Sequence, residues 1–308
     1  MKNVTDLGND VFEIDTRMGG YDGITAGYLI RSDRPCLVET GAGNSAGVVR
    51  DALAAAGVGP ADLATVVVTH IHLDHAGGVG DIAEMFPNAE VVVHEKGARH
   101  LADPTRLMAS ARMVWGSALD TLFGDLRPTD AARIKAVDDI GRVDLGGGRW
   151  LESHYSPGHA KHHVGLLDSV TGDLYVGDAA GVYIPETADV RPATPPPDFD
   201  LDSALASLDR FRALRPARLL FSHYGPVDLV GETLDRSAEE LRLWVELVTE
   251  AYDQRLDIDH AVAMVRERTD DRYKALAAGS DPSVAEKIEV ISAARNNVAG
   301  IMHALEKS

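Results

Sequence analysis

A chain of 308 residues with 45% hydrophobic content is long enough to bury one large domain, or one plus a smaller appendage, without a covalent staple. Its 48 acidic residues against 30 basic ones leave a net charge of -18, a field that repels phosphate backbones and anionic lipid surfaces, so neither nucleic acid nor membrane is expected as a partner. The single cysteine, Cys36, excludes an intramolecular disulfide and an all-cysteine zinc site; within Pro35-Cys36-Leu37-Val38 it reads as a buried small hydrophobe.

The opening stretch from Met1 to Leu7 lacks the apolar run of a signal peptide, and no segment approaches the roughly 20 apolar residues of a membrane-spanning helix. A soluble cytoplasmic protein is expected. From Val11 to about Val68 the chain reads as short strands, Phe12-Glu13-Ile14, Ala26 to Ile30 and Cys36 to Glu39, each closed by glycine or a polar cluster. Helical spacing from Ala46 to Ala56 ends at Gly57 and leads into the β-branched run Thr65 to Thr69, a buried strand. A helix from Val79 to Met85 stops before Pro87 and is followed by the strand Val91-Val92-Val93.

Residues 97–136 carry Leu101, Leu107, Met108, Met113, Val114, Trp115, Leu119 and Leu122 at loosely helical intervals, which predicts a helical insertion. Strand signals resume at Trp150-Leu151-Glu152, Val164 to Leu167 and Leu174-Tyr175-Val176, a second sheet. After a proline-rich loop, Pro192 to Pro197, helix spacing runs from Leu201 to Leu214, and Leu219-Leu220-Phe221 is a final strand. Beyond about Val230 the pattern is helical, with Val284, Ile288, Ile291, Val298, Ile301, Met302 and Leu305 as one stripe of a last helix. That tail would pack on the sheets or pair with a second subunit as a homodimer.

The segment Thr69-His70-Ile71-His72-Leu73-Asp74-His75-Ala76-Gly77-Gly78 places three imidazoles and a carboxylate within six residues, directly after a buried strand. In extended or tightly turned chain His70 and His72 can face one way while Asp74 and His75 swing to another, so one loop can serve two neighbouring cations. Neutral imidazole with an adjacent carboxylate is a donor set for zinc, iron, manganese or nickel. Three further elements lie at ends of predicted strands: Ser156-Pro157-Gly158-His159, Val176-Gly177-Asp178-Ala179 and Phe221-Ser222-His223-Tyr224-Gly225.

In this order, the His-x-His-x-Asp-His cluster, the Pro-Gly-His turn, the Gly-Asp and the late Ser-His-x-Gly resemble the metallo-β-lactamase superfamily over roughly residues 10–230. The resemblance implies an α/β fold, a four-layer αββα sandwich. The catalytic domain would span residues 1–230, with the insertion at 97–136 and a C-terminal helical extension at 231–308. Carried across, it makes His70, His72 and His159 the ligands of one metal and Asp74, His75 and His223 those of a second, with Asp178 bridging. Two divalent ions about 3.5–4 Å apart would then generate a bridging hydroxide and polarise a carbonyl. Zinc is the default for this nitrogen-rich site, with iron or manganese as alternatives. The implied activity is glyoxalase II-like or lactonase-like hydrolysis of an ester, thioester or lactone in a small-molecule substrate, with Asp74 handling protons as the leaving group departs. The alternatives are a mononuclear-iron oxygenase of the same fold and a non-catalytic metal-containing sensor.

Other residues attract attention without fitting the ligand set. His163, His162 and His154 read as supports for ligands or as structural residues. His94 and His100 read as solvated, with lining of the site's entrance as the alternative. Glu39-Thr40-Gly41 stands where an acidic residue and glycine flank the metals in such proteins, which predicts a hydrogen bond to a ligand. The insertion is similar to one in a prokaryotic hydrolase-like branch of the superfamily; it would either cap the site, with Met108, Met113 and Trp115 as an apolar pocket and Arg106 or Arg112 holding a carboxylate, or pack as core. The tyrosine that lactonases of this superfamily place three residues after the bridging aspartate is absent, Gly181 standing there, with Tyr183 as a candidate substitute.

Overall fold

The computed structural model describes residues 3–276 and 282–307. Met1 and the side chain of Ile291, named above, lie outside the described residues. The chain divides into two compact units: one comprises the residues up to Tyr155 plus Val164–Tyr175, the other Ser156–His163 plus the residues from Val176 onward.

In the first unit a sheet of seven strands runs in chain order: β1 (Val4–Gly8), β2 (Val11–Asp15), β3 (Ala26–Ile30), β4 (Cys36–Val38), β5 (Thr65–Val67), β6 (Glu90–His94) and β7 (Ile134–Val137). The first four pair antiparallel, as short connections allow. From β4 to β7 the pairing is parallel, and parallel neighbours need long crossovers. The helix Ala46–Ala55, the helix Val79–Met85 and the helices Glu95–Ala102, Thr105–Trp115 and Ala118–Leu122 lie in those connections. Buried along its whole length, β5 reads as a continuous β-branched run for that reason.

A second sheet in this unit is the antiparallel meander β8 (Ile140–Asp144), β9 (Trp150–Tyr155), β10 (Val164–Asp168) and β11 (Asp173–Gly177), the last through its residues up to Tyr175. The two sheets meet through their inner faces: Tyr28 of β3 and Tyr175 of β11 stand edge to face with ring centroids 5.3 Å apart. Cys36 is fully buried there, and burial pushes its thiol well above the usual range. Native protein is therefore expected to resist a thiol-labelling reagent, with one thiol reacting per chain once urea opens the sandwich; rapid native labelling would contradict this placement.

The second unit holds the hairpins β12 (Val182–Ile184) with β13 (Asp189–Arg191) and β14 (Arg218–Phe221) with β15 (Gly225–Val227). Its helices are Leu201–Leu214, Val230–Asp253, Ile258–Thr269, Pro282–Ile291 and Ala294–Leu305. Its core includes Phe211, Trp244, Val248 and Ile301. Arg191 is fully buried, its guanidinium 5.0 Å from the Trp244 ring centre and 2.9 Å from the Glu289 carboxylate. No helix among the described residues is long and apolar enough to cross a membrane.

Three expectations need correction. The stripe from Val284 to Leu305 belongs to two helices, because Ser292 and Asn297 are tied to the Pro192 carbonyl and the backbone leaves helical geometry at Ala293, with ψ at 125°. The insertion is α-helical only to Leu122, with one 3-10 turn at Ala131–Arg133; residues 134–137 are strand β7, whose half-exposed edge lacks apolar alternation. Leu219-Leu220-Phe221 is not the last strand, since Gly225-Pro226-Val227 pairs with it as an edge, where proline is tolerated.

Candidate metal centre

In the first unit the chain bends at Thr69 after β5, passes His70 and is extended at His72, and one helical turn, Leu73–Ala76, then carries Asp74 and His75. The turn brings all four side chains together. His70 Nε2 lies 3.1 Å from His72 Nδ1, and His75 Nε2 lies 3.5 Å from Asp74 Oδ2. Two donors about 2.1 Å from one ion at the tetrahedral angle stand about 3.4 Å apart, so both spacings suit a shared cation. The His70 and His75 rings are buried, and the Asp74 side chain is 22% exposed.

Glu39 closes β4 with a φ of +63° and is buried. Its Oε1 accepts the Thr69 N–H at 3.1 Å, and its Oε2 lies 3.8 Å from His75 Nδ1. Thr40 donates both its N–H and its hydroxyl to the His75 carbonyl, at 2.8 and 2.9 Å. Glu39 and Thr40 thus brace His75 from both sides, and His70 Nδ1 is engaged by the Thr69 hydroxyl at 3.0 Å. These partners turn the Nε2 atoms of His70 and His75 toward the cluster.

In the second unit Asp178 lies between two histidines. Its Oδ2 is 3.5 Å from His159 Nε2 and its Oδ1 is 3.7 Å from His223 Nε2. One carboxylate oxygen therefore faces each imidazole at the spacing of ligands around an ion rather than of a direct hydrogen bond. His159 Nδ1 lies 2.9 Å from the Ala193 carbonyl; a carbonyl only accepts, so Nδ1 carries the proton and Nε2 the lone pair. His163, fully buried, accepts the Asp178 N–H at Nε2 (3.1 Å) and donates from Nδ1 to the Ser156 hydroxyl (2.8 Å). It supports Asp178 as a bracket rather than as a ligand. All three candidate ligands here are at most 6% exposed.

The model of the metallo-beta-lactamase superfamily matches residues 20–223, two thirds of the chain. The chain belongs to that superfamily. A metallo-beta-lactamase fold-containing protein of Sulfurisphaera tokodaii is 32% identical over 189 residues, 59% of this chain and 70% of its own length. An N-acyl homoserine lactonase of Azorhizobium caulinodans is 27% identical over 167 residues, and the match covers 53% of this chain and 54% of that enzyme. The solved structure of an archaeal superfamily protein from Sulfolobus tokodaii aligns with a TM-score of 0.67 at 21% identity, covering 98% of this chain and 100% of that one. That likeness carries the fold, the superfamily's α/β sandwich with a helical C-terminal extension.

Within this superfamily member several side chains depart from expectation. His94 is not solvated: it is fully buried, stacked on Tyr155 with centroids 4.8 Å apart, its Nε2 3.4 Å from Asp139 Oδ1. His100 is half-buried, and burial together with Arg99 lowers its pKa. The helix Thr105–Trp115 buries none of its residues, and Met113 is 81% exposed, so it forms neither a packed core nor a closed apolar pocket. Arg112 is occupied by Asp120 at 2.7 and 2.8 Å. At Gly181 (φ +85°) a Cβ would sit 2.4 Å from the Arg191 carbonyl oxygen, which rules out a tyrosine there. Tyr183 donates its N–H to the His223 carbonyl and packs its ring on Phe221 at 5.7 Å; burial, then Asp189, raises its phenol pKa.

Proposed function

We propose that this chain is a metal-dependent hydrolase of a small-molecule ester, thioester or lactone. On the superfamily's pattern His70, His72 and His159 would hold one divalent cation and Asp74, His75 and His223 a second, with Asp178 serving both. The observation that carries this reading is the Asp178 carboxylate, buried between two imidazole Nε2 atoms with one oxygen toward each. The four-residue cluster of the first unit, with its own donor spacings of 3.1 and 3.5 Å, supports it.

When bound, such a pair of cations, zinc being our assignment for a nitrogen-rich donor set, acidifies a coordinated water and polarises a carbonyl. The chain's own residues do the rest. Glu39, Thr40, Ser156 and His163 hold the donors in place before substrate arrives. Asp74, the carboxylate of the set with appreciable exposure, would take up and return a proton as the leaving group departs. The net charge of -18 favours a small substrate over a polyanion. A mononuclear-iron oxygenase has no use for the second group of donors, and Asp74, His75 and His223 are all present.

Metal analysis of the purified protein is expected to give about two divalent ions per chain. Turnover is expected within a panel of thioesters, lactones and aryl esters, and is lost in His72→Ala. One iron per chain without hydrolysis would replace this reading with the oxygenase, and two metals without turnover of any panel member would replace it with a sensor.

A further inference from the structure

The family match ends at residue 223, yet the C-terminal helix Ala294–Leu305 is bonded to the loop that orients one candidate ligand. We propose that Asn297 is a positioning residue of the metal centre, acting through the Pro192–Thr194 segment on His159. This rests on the reading of His159 as a metal ligand.

The chain of contacts lies within one compact unit. Asn297 is 3% exposed and divides its amide between this loop and Ser292: Oδ1 accepts the Thr194 N–H at 2.8 Å, and Nδ2 donates to the Pro192 carbonyl at 2.9 Å and to Ser292 Oγ at 2.7 Å. The Thr194 hydroxyl returns a bond to the Asn297 carbonyl at 3.1 Å, and Ser292 Oγ also donates to the Pro192 carbonyl at 2.9 Å. Residues 192 and 194 are therefore pinned on either side of Ala193. The Ala193 carbonyl in turn accepts from His159 Nδ1 at 2.9 Å.

That last bond sets which nitrogen of His159 carries the proton and in which plane the ring lies. Helix and loop are in hard contact, since a Cβ at Gly300 would fall 1.8 Å from the Thr194 carbonyl oxygen. A surface helix held only for stability needs an apolar stripe, which Val298 and Ile301 provide, both buried. A buried amide with every donor and acceptor met adds direction to that packing. The C-terminal extension is thus part of the apparatus that presents His159.

The test is a zinc titration of apo protein against a chromogenic chelator for wild type, Asn297→Ala, His159→Ala and the double variant. Ser292→Ala serves as a milder lesion should Asn297→Ala fold poorly. Asn297→Ala is expected to weaken one of the two zinc equivalents by about 10- to 100-fold, as loss of a ligand's hydrogen-bonded support does. In the His159→Ala background the same substitution is expected to change zinc affinity less than twofold, because the residue it acts through is gone. A lowered melting temperature with both zinc affinities unchanged would overturn the proposal, as would an equal loss of affinity with and without His159. Wild-type chain that binds no zinc would overturn this proposal and the functional reading together, whereas loaded wild type with an unaffected Asn297→Ala overturns this one alone.

Discussion

An Asp178→Asn chain is expected to fold as wild type does, to hold one divalent cation fewer, and to lose at least about a thousandfold in turnover, roughly 4 kcal/mol of transition-state stabilisation. Asparagine has the same shape, and the bond that fixes the backbone here runs from the residue 178 N–H to His163, which the substitution leaves intact. What changes is the donor set. A carboxylate offers an oxygen to each side, whereas an amide offers one oxygen and an NH2 group that can only donate. That NH2 would face one of the two Nε2 atoms now 3.5 and 3.7 Å from the carboxylate oxygens, and would occupy the lone pair meant for the ion. Removing a buried negative charge also lowers the attraction for both cations, while apo stability stays level or rises. Metal analysis, apo melting temperature and turnover together decide the matter. Two equivalents retained at wild-type affinity would remove Asp178 from its shared position.

The ligand candidates were legible because metal chemistry demands particular side chains, and here they are crowded: four in six residues, then one at each of three predicted strand ends. Glu39 could be flagged by position alone, and the structure adds the reason, its two carboxylate oxygens turned toward Thr69 and His75. Backbone partners carry no such signature. Ala193 contributes only a carbonyl, and nothing in its own identity marks it as the partner of His159. Asn297 sits in a helical pattern whose apolar stripe reads through the break at Ala293 in phase, so the break is a tertiary event invisible to periodicity. His94 misled for a related reason: a histidine after a strand reads as polar, and its burial follows from stacking on Tyr155, distant in sequence.

The insertion misled in the opposite sense. Its apolar residues have helical spacing and do form helices, but spacing fixes a face and not what covers it, and Met113 and Val114 remain exposed at 81% and 61%. The strands β5 and β6 themselves were more accessible, because each is a short β-branched run and the helical segment between them is long enough for a crossover. The half-exposed strands β1 and β7 escaped, since an edge strand packed on one side needs no run of apolar residues.

Among changes remote from the metal centre, Asp168→Ala is expected to be the most damaging to stability, by about 3–5 kcal/mol. Asp168 at the end of β10 is 1% exposed and Arg149, just before β9, is 8% exposed. Arg149 Nε lies 3.1 Å from Asp168 Oδ2, Nη2 holds the same oxygen, and Nη1 donates to the Asn9 carbonyl at 3.0 Å. Asp168 Oδ1 in addition accepts the Val170 N–H at 2.9 Å. Deleting the carboxylate leaves a guanidinium that cannot lose its proton buried without a counter-ion, and its long stem is held by the strand pairing on either side. The expected fall in melting temperature is about 6–15 °C, measured calorimetrically at constant metal content. Asp51→Ala provides the contrast, because the Arg50–Asp51 pair is 50% and 71% exposed and such pairs contribute about 0–1 kcal/mol. Arg149→Met combined with Asp168→Leu should recover most of the loss, since a buried pair replaced by apolar groups of similar size removes both charges at once. If the double variant were as unstable as Asp168→Ala, the cost would lie in lost backbone anchoring at Asn9 and Val170 rather than in the orphaned charge.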